Sequence, residues 1–171
     1  MGNVISFILI FLLIWEFLIW RRMTKYRKDL IQLRSAMARY LHRRKQLLKI
    51  MQQYAETHDL SFASWDKDTL DIPEEGLTLE ELQQQLAKNQ ILNKRISTVL
   101  AEKRWKNAIE QDEELYYTVD EFQELQAIVL KCVSAYNEIY YAFNKSVKNM
   151  PTAVVAKILR IRAMEAGHLS I

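Results

Sequence analysis

Residues 21–58 read RRMTKYRKDLIQLRSAMARYLHRRKQLLKIMQQYAETH. In this stretch Tyr26, Leu30, Leu33, Met37, Tyr40, Arg44, Leu47, Met51, Tyr54 and His58 alternate at three- and four-residue spacing, with Leu41, Leu48 and Ala55 alongside. Such a seam belongs to a helix that packs lengthwise on other helices. No Gly or Pro interrupts it, so at 1.5 Å per residue it predicts a rod of about 57 Å. Arg44 is the break in the seam. Its aliphatic stem can pack while its head reaches the rim, which suits a structural role as well as recognition.

Working toward the N-terminus, residues 4–20 read VISFILIFLLIWEFLIW, with Glu16 the only ionisable group. Seventeen residues are close to the minimum for a helix crossing a ~30 Å hydrocarbon core. A transmembrane anchor from Val4 to Trp20 is therefore expected, with Trp15 and Trp20 suited to the interface. Glu16 is either a functional group within the span or a snorkelling side chain near its edge. Arg21, Arg22, Lys25, Arg27 and Lys28 follow as a basic collar. By the positive-inside rule they place the N-terminus outside and residues 21–171 in the cytoplasm, and they attract anionic headgroups.

Toward the C-terminus, residues 59–77 contain Pro73 and Gly76 and break the periodicity as a connection does. Phe62 and Trp65 within it are expected to pack on the bundle end. Thr78 with Glu81, and Thr118 with Glu121, each have the spacing of a capping box. The first pair introduces a stripe of Leu79, Leu82, Leu86, Ile96 and Leu100, diluted by Asn89 and Asn93. The second introduces Phe122, Leu125, Val129, Cys132, Tyr136, Tyr140, Phe143 and Val147. Pro151 ends this helix and suits the start of another that stops at Gly167.

The sequence thus predicts an all-α protein. A transmembrane helix (residues 1–20) continues into an antiparallel bundle (21–171) of three long helices, about 21–58, 78–111 and 119–149, plus a short C-terminal helix, 151–166. Residues 21–58 carry eleven basic and two acidic side chains, whereas 59–121 carry seven and fifteen. In an antiparallel arrangement the acidic turn Glu110, Asp112, Glu113, Glu114 returns to face the collar, helix 151–166 falls at the far end, and Arg34, Arg39, Arg43, Arg44 and Lys45 meet the acidic second helix.

Tyr136-Asn137, then Phe143-Asn144 seven residues on, then Val147, Pro151 and Ala156, resemble the LemA family of membrane-anchored bacterial helical proteins. Leu33, Leu41, Arg43-Arg44, Leu47-Leu48 and Met51, placed directly after an N-terminal apolar run, resemble the family's other pattern. Gln46, Lys49 and Ile50 stand where the family carries Asp and a Pro-Asn pair. The resemblance implies a single-pass protein of the bacterial inner or cytoplasmic membrane. Asn137 and Asn144 sit at the edge of an apolar face, where their amides can set register against a neighbouring helix.

No G-x-S-x-G, Walker loop, H-E-x-x-H or cysteine–histidine pair at metal spacing occurs, so no enzyme, metal or cofactor is expected. The lone Cys132 lies in an apolar stripe and suits a buried thiol. The basic stretch begins at the collar, which favours lipid over nucleic acid. The expected function is a non-enzymatic, membrane-tethered scaffold or adaptor with a protein partner, and a homo-oligomer is compatible with it. The alternative is an accessory subunit of a membrane enzyme or transporter, reached through Glu16.

Overall fold

A computed structural model describes residues 2–62, 77–148, 157 and 167–169, with the side chains of 2–5, 8 and 9 outside the description. The described residues are helical with no strand, and form α1 (Gly2–Thr57), α2 (Leu79–Leu100), α3 (Lys103–Gln111) and α4 (Glu113–Lys148). As the uninterrupted seam predicts, α1 runs without a break through the collar. It stops where Asp59 takes a left-handed φ of 52°. Leu60 N–H then donates to Ala55 O at 2.9 Å, the reversal that satisfies a helix's last carbonyls.

The expected single helix over 78–111 is two. The Ser97 and Thr98 hydroxyls both donate to Lys94 O, at 2.8 and 3.1 Å, and such back-bonding weakens a helix locally. The chain turns at Ala101 and restarts as α3, whose Trp105 is fully buried. Trp105 Nε1 donates to Ser61 O at 3.0 Å and its ring lies 5.4 Å from that of Phe62, so Phe62 packs as expected. Trp65, Pro73 and Gly76 lie outside the described residues.

Thr78 caps α2 as predicted, with both halves of the capping box formed. The amide and hydroxyl of Thr78 hold the Glu81 carboxyl below the usual carboxylate range. Thr78→Ala is expected to cost about 1 kcal/mol at neutral pH. A depressed carboxylate stabilises the fold above its ordinary range, near pH 4.3, and the contribution fades as pH falls through the lowered value. The difference between wild type and Thr78→Ala in denaturant titrations should therefore shrink in acid.

The second capping box is not built. Thr118 lies inside α4 and donates to Glu114 O at 2.9 Å. Asp112 caps α4 instead, its Oδ1 accepting from Leu115 N–H at 3.0 Å. An aspartate at that position satisfies a free amide as well as threonine does, and α4 thereby starts six residues earlier than residue 119.

The chain falls into two compact units. One joins residues 1–33 to 135–168, and the other holds 34–134 with 169–171. In the first unit, Ile19 and Met23 of α1 pack with Phe143 and Val147 of α4, and Tyr26 covers them. The end of α4 therefore meets α1 at the collar, not at the far end of the rod. Close by, Gly167 N–H donates to the Tyr140 hydroxyl at 3.3 Å. A Cβ on Gly167 would stand 2.3 Å from the Tyr140 ring, so only glycine lets this segment approach.

In the second unit α2 runs parallel to α1, which corrects the expected antiparallel pairing. Arg34 donates to Leu77 O, Arg44 to Asn89 Oδ1, and the Tyr54 ring faces Trp105. Position thus rises along both helices together. The connection is long enough to allow it. A return from Thr57 to the level of Arg34 covers ~35 Å of helix, and twenty residues of extended chain reach ~66 Å. α4 is the antiparallel member, with Asp112 beside Tyr54 and Glu121 on Arg43. The acidic turn is accordingly set against Tyr54 near the C-terminal end of α1, and the expected facing of turn and collar is not what forms.

The predicted transmembrane helix is also corrected. No helix is long and apolar enough to cross a membrane among the described residues. Glu16 interrupts the apolar stretch and Arg21 ends it.

Candidate functional site

Heptad geometry brings one polar layer to the middle of the second unit. Met37, Arg44 and Met51 fall seven apart on α1, Leu82, Asn89 and Ile96 on α2, and Val119, Gln126 and Val133 on α4. Every member but Gln126 is buried, and Gln126 is half-buried. The polar residue of each series stands at the same level. Arg44 Nη1 donates to Asn89 Oδ1 at 2.7 Å and to Gln126 Oε1, and Nη2 donates to Asn93 Oδ1 at 3.0 Å. Asn89 Nδ2 donates to Gln126 Oε1 at 2.9 Å. Beneath the guanidinium lies the Phe122 ring, 4.0 Å away, so the ring's negative face supports the charge.

Arg44 is 0 % exposed and no carboxylate contacts it among its hydrogen bonds. Burial lowers its pKa to about 10, which leaves it charged at neutral pH. Its Nε is buried without a partner among the described residues. A lone buried cation held by amides is costly, and its compensating use is to allow one helix alignment and exclude others. Asn89, Asn93 and Gln126 as its partners were not foreseen. The signal was available, since Arg44 breaks the α1 stripe and Asn89 and Asn93 dilute that of α2.

Beside the layer, Asn93, Ser97, Phe122 and Gln126 line part of an open cleft of about 240 Å³. That is smaller than a typical small-molecule site, its hydroxyl, on Ser97, donates to Lys94 O, and no carboxylate or histidine lines it. Arg43 points away from the layer and forms a bidentate pair with Glu121, both contacts at 2.7 Å. Each partner shifts the other in the expected direction, Arg43 upward and Glu121 downward, chiefly through these hydrogen bonds. Arg43 thus bonds α4, Arg44 the amides of α2 and α4, and Arg34 the backbone just before α2, and none of these bonds among the described residues goes to an acidic side chain of α2.

No family model, curated protein or solved structure matches this chain. The residues singled out by the LemA resemblance nevertheless take definite positions. Tyr136 and Phe143 are buried and Asn137 and Asn144 are half-buried. Pro151 and Ala156 lie outside the described residues. No three His, Cys, Asp or Glu residues are placed to hold a metal among those described.

The first unit carries the other candidate site. Phe7, Ile10, Phe11, Leu12, Leu13, Ile14, Trp15, Phe17, Leu18 and Trp20 are all exposed, from 74 % at Phe7 to 38 % at Trp15. Residues 10–15 are consecutive, so the apolar surface runs round the whole helix. Ile19 alone in residues 10–20 is buried, and Glu16 is half-buried. The side chain of Val4 lies outside the description. Arg21, Arg22, Lys25, Arg27 and Lys28 follow immediately and all are exposed. Arg22 bonds the Tyr26 hydroxyl at 2.9 Å and Arg27 lies 5.8 Å from the Phe143 ring.

Proposed function

We propose that this chain is a non-enzymatic, membrane-attached scaffold or adaptor of the LemA type. The exposed apolar side chains near the start of α1 contact lipid, and the helical bundle presents its outer faces to a protein partner. One observation carries the reading, the exposed apolar side chains of Phe7 and of residues 10–15, 17, 18 and 20. Ten large apolar side chains left about half exposed forfeit on the order of 10 kcal/mol of burial. Soluble monomers seldom keep a contiguous apolar patch beyond a few hundred Å². Lipid offers apolar surroundings on every side of a helix, which a groove on a partner does not.

The rest of the molecule supports a mechanical role. The Arg44 layer fixes one alignment of α1, α2 and α4, and no carboxylate or histidine stands in the cleft beside it to act as a base. Fractionation of cells producing the full chain tests the reading. The protein should sediment with membranes, resist a high-salt wash and be released by detergent. Recovery in the supernatant before detergent would contradict attachment.

A further inference from the structure

The packing of α4 on α1 gathers a second set of cations at the collar. Phe143 and Val147 contact Ile19 and Met23, so Lys145 and Lys148, in the last turn of α4, are brought to the level of Arg21 and Arg22. Both lysines are exposed, as are Arg21, Arg22, Lys25, Arg27 and Lys28. Opposing charge within the same stretches comes from Glu16, Asp29 and Glu138. Seven cations against three anions leave a net positive rim directly beside the apolar run.

We infer that this two-helix rim binds the headgroups of anionic phospholipids, with Lys145 and Lys148 of α4 acting alongside the α1 collar. The inference rests on the lipid attachment proposed above and specifies its lipid class. Apolar burial holds the chain in any bilayer, whereas exposed cations at the edge of the buried run gain only where phosphate charge is uncompensated. Each such residue near an anionic surface is worth about a fivefold gain in partition. The attraction is screened by salt over ~8 Å at physiological ionic strength. Lys145 and Lys148 also complement the α4 dipole, a role that would affect helix stability but not lipid choice.

The test is flotation of the full chain with vesicles of phosphatidylcholine alone and vesicles containing roughly one third phosphatidylglycerol. Binding should be tighter to the anionic vesicles and the preference should fall with salt. Lys145→Gln with Lys148→Gln should lower anionic-vesicle binding about 25-fold, leaving neutral-vesicle binding and helix content unchanged. Lys94→Gln with Arg95→Gln, exposed on α2, should change neither. Equal binding to both vesicles, an unaffected lysine variant, or an equal loss in the α2 variant overturns the headgroup assignment and leaves attachment standing. Binding to neither vesicle overturns attachment itself.

Discussion

Arg44→Ala should destabilise the second unit by about 3–5 kcal/mol, the cost of breaking a buried charged cluster from one side. The amide oxygens of Asn89 and Asn93 lose the Arg44 donor at once, and that of Gln126 keeps only Asn89 Nδ2. Each buried acceptor left unpaired costs about 1–3 kcal/mol, and the stem leaves a void over Phe122. Chemical unfolding of the full chain in detergent, followed by circular dichroism, measures this. A loss below 1 kcal/mol would show that the layer is not structural. Converting the whole layer, by Arg44→Met with Asn89→Leu, Asn93→Leu and Gln126→Leu, should instead leave stability unchanged or raise it by about 1–4 kcal/mol. That protein should lose its single alignment, which heteronuclear NMR would show as doubled resonances for α2.

The second large effect concerns the apolar run. Phe11→Asp combined with Ile14→Asp places two carboxylates where hydrocarbon is proposed. At about 2.5–3.5 kcal/mol each in the centre of an apolar layer, they should lower partition into vesicles on the order of 10⁴-fold. Packing of the bundle should be untouched, because both side chains are exposed. An unchanged melting profile with vesicle binding abolished is the expected pair of results. Retained binding would move the attachment site elsewhere.

Much of the fold can be read from periodicity. The seams of α1 and α4, the Thr78–Glu81 cap and the end of α1 near residue 58 all follow from residue spacing, because they depend on contacts within a few turns. The direction of α2 does not, since a stripe of leucines reads the same whether its helix runs up or down. With residues 58–77 long enough for either, only the register-specific contacts of Arg34, Arg44 and Tyr54 decide it. Thr118–Glu121 misleads for a related reason. Its spacing is that of a cap, but Glu121 is engaged by Arg43 across the helix interface. Trp105 lies in an otherwise polar segment and has no stripe to announce it.

The polar layer was half legible. Arg44, Asn89 and Asn93 each interrupt an apolar series, and in a packed core interruptions must meet one another to be satisfied. Which interruptions meet depends on register, and an antiparallel α2 gives the wrong one. The cations at the end of α4 were missed as part of the collar through the same assumption, which put that end of the bundle at the wrong level.

Attachment through the apolar run of α1 can be read by a probe placed within that run. Phe11→Cys in a Cys132→Ser background provides a single labelling site. Cys132 itself is partly buried, and burial pushes its thiol up. An environment-sensitive fluorophore at position 11 should shift to the blue on addition of vesicles and be quenched by lipids carrying nitroxide on the acyl chain, while the same probe at Gln123 should respond to neither. A fluorophore at position 11 that keeps its aqueous emission in the presence of lipid would contradict the account.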